Sequence, residues 1–172
     1  MPAYETFVTN MTATSKKNRE AGLGSLCTMF KHLPKEEQLN VGEEPGLLDA
    51  LELFLRGDKA ETALDLLIDL GGLEDGKFTE TTRKCAAAIF VSPCFSAVKG
   101  MVATGSTVEL KREAWEAIRG VSRIEEGRKQ EFFDSPGMVT LLKDGLESAN
   151  TTVAESAADT INNLCRDEIS AS

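Results

Sequence analysis

Pro45-Gly46-Leu47-Leu48-Asp49-Ala50-Leu51, Pro93-Cys94-Phe95-Ser96-Ala97-Val98 and Pro136-Gly137-Met138-Val139-Thr140-Leu141-Leu142 are three copies of one block. Each opens on proline and continues as an apolar helical stretch. A polar turn then leads to a second helix holding a small residue, Ala63, Ala114 or Ala157. The prolines are 48 and 43 residues apart. That period belongs to helical solenoids, in which each unit covers its apolar face only by stacking on its neighbours. The block therefore points to an all-α architecture and to binding rather than chemistry.

Working outward, Ile89 and Phe90 precede Pro93, and Phe132 and Phe133 precede Pro136; Leu39 and Val41 stand before Pro45. Each unit thus has a short leading helix, a bend and a longer helix, because proline keeps the residue before it out of helical conformation. The helices after the bend are predicted at about 47–55, 95–102 and 138–146. Third helices follow at about 59–70, 107–123 and 153–165. Asp58 with Glu61, Ser106 with Glu109 and Thr152 with Glu155 have capping-box spacing. Lys16 to His32 reads as the second helix of an incomplete unit, and Arg19-Glu20-Ala21 echoes Arg112-Glu113-Ala114. The run Gly71-Gly72-Leu73-Glu74-Asp75-Gly76 is the most flexible break. The chain reads as a single domain, 1–172: a polar, loosely packed lead-in at 1–15, a partial repeat at 16–33, repeats at 34–76, 77–124 and 125–166, and a tail at 167–172.

The charge of −9 is concentrated. Residues 34–80 carry 4 basic and 13 acidic side chains, whereas residues 81–172 carry 11 and 13. A phosphate backbone would be repelled by the first complete unit, which argues against nucleic acid and for basic protein segments. An ordinary solvated helix surface is the competing reading. No apolar run approaches the roughly 20 residues that span a membrane, so no membrane insertion is expected. Met1 to Ala21 lacks the apolar stretch of a signal peptide. Cys27, Cys85, Cys94 and Cys165 form no C-x-x-C pair and read as buried free thiols in a reducing compartment. An intracellular, cytoplasmic protein is expected on these grounds.

Ala157-Ala158-Asp159-Thr160-Ile161-Asn162-Asn163-Leu164 resembles the third-helix signature of the armadillo repeat family, and HEAT repeats are a close second. Ala114 to Val121 matches it except at the Asn, and Ala63 to Leu70 more loosely. The resemblance spans about residues 34–165. It implies a right-handed α-solenoid of about three armadillo-like repeats plus a partial N-terminal one. It also implies that the third helices line a concave groove for extended peptides. In the importin-like branch an Asn ladder clamps the peptide. Here only Asn163 occupies that slot, and Asp69 and Gly120 replace it, so the resemblance does not extend to a nuclear-signal receptor.

One turn, about 5.4 Å, before that slot stand Asp65, Glu116 and Asp159. Stacked third helices would align them into an acidic row able to receive Lys or Arg. The candidate partner-binding residues are therefore Asp65, Asp69, Glu116, Asp159 and Asn163, with Arg119, Arg123 and Arg166 shaping the far half. Catalysis has little to work with. His32 is the single histidine, and Cys27, five positions away, does not share its helix face. No metal-ligand spacing occurs, and no cofactor is implied. The expected function is a non-catalytic interaction scaffold. A subunit fixed in a larger complex and a reactive-cysteine enzyme are the alternatives. Trp115, beside the small Ala114, reads as core.

Overall fold

Gly46 and Gly137 hold φ of 79° and 78°, the left-handed region, and each caps the helix that follows it. A Cβ at Gly137 would meet nothing within 4 Å, so conformation rather than space selects glycine there. Proline-glycine thus turns the chain sharply into the next helix. In the middle block Cys94 stands where glycine would be, and the turn is made differently. Pro93 enters the first turn of its helix, where its missing N–H costs no hydrogen bond. The two helices joined at Ser92 meet at 76°.

The computed structural model describes residues 4–34, 37, 44, 46–71, 80–103, 107–123 and 129–165. The expected leading helix after Pro34, Pro45 itself, Ser106, Arg166, the break from Gly72 to Gly76 and the tail 167–172 lie outside the described residues. Ten helices and no strand occur among them: α1 Tyr4–Met11, α2 Lys16–Phe30, α3 Leu47–Leu55, α4 Ala60–Gly71, α5 Glu80–Val91, α6 Pro93–Ala103, α7 Val108–Val121, α8 Lys129–Asp134, α9 Met138–Leu146 and α10 Thr151–Cys165. Among the described residues no single helix is long and apolar enough to cross a membrane.

Two helical layers result. The helices after the bends, α3, α6 and α9, pack in sequence, with α1 at the head of their row. The third helices α4, α7 and α10 form the second row, and each layer packs on the other. Leu47, Leu51, Leu64, Leu67, Trp115, Ile118 and Phe132 fill the space between, each at most 1% exposed. Burial of one such side chain contributes about 1.5–3 kcal/mol. Phe90, Phe95 and Phe132 bring α5, α6 and α8 together, with ring centroids 5.3–5.6 Å apart.

The polar lead-in expected at 1–15 is corrected by α1. Its Met11 is fully buried and Phe7 and Val8 pack on the core. The close approach depends on Gly22, where a Cβ would lie 3.0 Å from the Met11 nitrogen. The caps also differ from expectation. Thr107 caps α7, accepting from the Leu110 N–H at 3.2 Å. Asn150, not Thr152, caps α10, accepting from the Val153 N–H at 3.3 Å. Asp58 instead receives the Lys16 ammonium at 2.5 Å.

Gly145 is the tightest point of the fold. A Cβ there would sit 2.5 Å from Trp115 Cζ2 and 2.8 Å from the Ala157 Cβ. Gly145→Ala is expected to destabilise the protein by about 1–3 kcal/mol, because neither the indole nor a helix backbone has room to yield. Gly24→Ala, in open space on α2, is expected to stabilise it by about 0.5–1 kcal/mol. Urea unfolding of the two variants checks both signs.

Candidate functional site

The third-helix row places most of the candidate residues on neighbouring helices. Asp65 and Asp69 are exposed on α4, Glu116 and Arg119 are half-buried on α7, and Asp159 is exposed on α10. The α7–α10 half is compensated from within. The Arg119 guanidinium pairs with Glu116 one turn earlier and reaches Asp159 Oδ2 across the helix gap at 3.5 Å. Ser156 Oγ donates to the other Glu116 oxygen at 3.2 Å. Asn163 Nδ2 donates to Ser122 Oγ at 3.0 Å and to the Arg119 carbonyl at 3.4 Å, tying α10 to the end of α7. The Asn163 amide nitrogen is thus engaged within the fold. Burial, and then Arg119 beside it, lower the Arg123 guanidinium from its usual value, while Asp159 and Glu116 oppose the shift.

The α4–α7 half is different. Asp65 has no cationic partner among the described residues. Across the gap, burial pushes the Glu113 carboxyl above the usual carboxylate range, and Asp65 and Glu61 push it further. Arg112, 3.7 Å from Glu113 Oε1, offsets part of this, and Glu113 Oε2 is buried without a hydrogen bond. Asp65 and Asp69 also raise the half-buried Cys27 thiol, after the larger effect of its burial and against Lys31. The face therefore divides into a half compensated by Arg119 across the helix gap and a half in which Arg112 offsets only part of the repulsion at Glu113.

Glu113 was not among the sequence candidates, although a signal for it exists. It matches Glu20 in the repeated Arg-Glu-Ala triplet. Four residues before Glu20 stands Lys16, 3.8 Å away, whereas Glu109 occupies that place before Glu113. The absence of an i−4 cation marks Glu113 as the less compensated member, with Arg112 beside it at 3.7 Å.

Little here is suited to chemistry. His32 is exposed at the end of α2. Among the described residues no cluster of His, Cys, Asp or Glu could hold a metal ion. A cleft of about 340 Å³ between α7 and the α9–α10 turn is lined by Val102, Val108, Trp115 and Val153, with Lys111 and Asp144 among its polar lining residues. Cys94 is buried, its Sγ donates to the Leu48 carbonyl at 2.9 Å, and burial pushes its thiol up to about 12. Cys165 is exposed, departing from the buried thiols expected of these cysteines.

No family model matches the chain, and no curated protein matches it. Solved structures do. An engineered protein from the Northeast Structural Genomics Consortium is 18% identical, with a TM-score of 0.70 over 95% of this chain and 63% of its own. A second engineered protein from the same consortium is 17% identical, with a TM-score of 0.72 over 95% of this chain and 38% of its own. A designed armadillo repeat protein in complex with the peptide (KR)4 is 16% identical, with a TM-score of 0.69 over 94% of this chain and 64% of its own. The chain thus has an armadillo-like repeat fold and spans less than two thirds of the length of these proteins.

Two outcomes test this description of the site. At neutral pH iodoacetamide should label Cys165 first and leave Cys94 unmodified in the folded protein, as mass spectrometry of the peptides would show, because only the thiolate attacks. For Glu113, a raised folded-state pKa means that its contribution is fully present below the unfolded pKa. It is lost as pH rises through the folded value. Glu113→Gln should therefore be more stable than the parent at neutral pH, and the gap should close towards acid pH. Urea midpoints across that range measure it.

Proposed function

We propose that this chain is a non-catalytic protein-interaction scaffold whose third-helix face binds a basic, extended segment of a partner protein. The observation that carries the reading is the acidic cluster formed by Glu61, Asp65 and Glu113, which Arg112 offsets only in part. Carboxylates held together and offset only in part by Arg112 cost stability, and a Lys or Arg from a partner would relieve that cost. The structural likeness to a designed armadillo repeat protein in complex with (KR)4 supports the same polarity of recognition. The acidic first unit disfavours nucleic acid. Free thiols fit a reducing, cytoplasmic setting.

The structure also shifts weight within the candidate set. Glu116, Asp159 and Asn163 have partners inside the fold, so a ligand cation must compete with Arg119 for the two carboxylates. Asp65 faces no such competition and Glu113 meets only Arg112 at 3.7 Å, and the basic segment is proposed to be held mainly there.

Fluorescence anisotropy with a labelled alternating Lys-Arg octapeptide tests the proposal. At low salt the parent should bind and the affinity should fall as salt rises. Asp65→Lys with Glu113→Lys should weaken binding by about tenfold or more, the loss of at least one charge-assisted contact. Absence of peptide binding at low salt, or binding indifferent to the double reversal, would sink the reading.

A further inference from the structure

We propose that the cleft between α7 and the α9–α10 turn binds a small apolar α-amino acid. Lys111 takes the ligand's carboxylate, Asp144 takes its ammonium, and the side chain enters the apolar lining beside Trp115.

Register shows why a cavity exists at this junction. Aligned on Gly46, Cys94 and Gly137, Phe54 corresponds to Val102 and Met101 to Asp144; aligned on Ala114 and Ala157, Leu110 corresponds to Val153. The first residue of each pair belongs to the junction between the first two complete units, and the second lines the cleft at the next junction. Phe54 and Met101 are each 6% exposed, and Leu110 packs on the core. The earlier junction is thus filled by three bulky side chains, and the later one has a smaller residue at each of these positions. Trp115 is larger than its counterpart Leu64, but its ring is taken up against Gly145. A cavity of about 340 Å³ is left. That lies at the small end of ligand pockets, which run from about 300 to 1,000 Å³.

The polar lining selects the occupant. Lys111 stands where the earlier unit has Ala60, and Asp144 where it has Met101, so both charges are particular to this junction. Among the described residues neither the Lys111 ammonium nor the Asp144 carboxylate has an ion pair, with each other or with any other group, although both line the cleft. Asn150 spends its Oδ1 on the Val153 N–H, which leaves its amide nitrogen without a partner among the described residues. A hydrocarbon in the cleft would leave both charges unanswered, and a simple carboxylate or amine would answer one. An α-amino acid carries both charges next to an apolar side chain and answers them with charge-assisted hydrogen bonds. Lys111 is two positions from Glu113 and so lies on another side of α7, which separates this cleft from the acidic junction.

Trp115 is the single tryptophan, so its emission reports the cleft at excitation wavelengths that L-phenylalanine does not absorb. Titration of the full chain with L-phenylalanine, followed by emission and by calorimetry, should saturate with a Kd of about 10 µM to 1 mM. 3-Phenylpropanoate and phenethylamine each lack one charge and should bind about tenfold or more weakly. Lys111→Gln and Asp144→Asn should each weaken L-phenylalanine by a similar factor. Val102→Phe, which restores the bulk of Phe54, should abolish binding while circular dichroism stays that of the parent. Three results would overturn the proposal. One is no heat and no emission change up to about 10 mM ligand. Another is an affinity unchanged in both charge variants. The third is N-acetyl-phenylalaninamide, a mimic of a residue within a partner's chain, binding as tightly as the free amino acid.

Discussion

The fold depends on one contact, the flat edge of Trp115 against a helix that has no side chain at Gly145. A solenoid unit has no core of its own, and its apolar face is covered only when the next unit arrives at close range. The hydrophobic gain is non-directional, so it does not by itself set register between units. The Trp115–Gly145–Ala157 junction does, because the ring fits at one height of α9 and against one small residue of α10. Gly22 performs the same service at the other end, where α1 closes on α2. Between these two points larger aliphatic side chains interdigitate, and the helices after each bend keep their spacing.

Stacking of this kind has an electrostatic consequence. Residues that recur at one slot of each unit are brought side by side, so recurring charges must face like charges. The chain answers in two ways. Around Glu116 and Asp159 it inserts Arg119 from the same layer, and serine and asparagine complete the network. Around Glu61, Asp65 and Glu113 it leaves the repulsion in place and shifts the Glu113 proton equilibrium instead. A fold under pressure only for stability would favour the first solution throughout. The persistence of the second at one junction is the physical ground for reading that junction as a place where something else binds.

Much of the architecture was legible because proline and glycine act locally. The helices Leu47–Leu55 and Met138–Leu146 match their sequence bounds to the residue, since Gly46 and Gly137 mark their starts. Ala63, Ala114 and Ala157 are all fully buried, as a small residue recurring at one slot suggests. Other features depend on partners distant in sequence. The helix Tyr4–Met11 is mostly polar, and only the notch at Gly22 lets its Met11 become core. Caps slid by one or two positions because Ser106 and Thr107, or Asn150, Thr151 and Thr152, offer adjacent hydroxyl and amide acceptors. Which one lies outside the helix is decided by tertiary packing. The acidic row was legible as a slot pattern. Its split into two halves was not, because Arg119 serves two carboxylates on different helices and Glu113 lies three residues before the slot that contains Glu116.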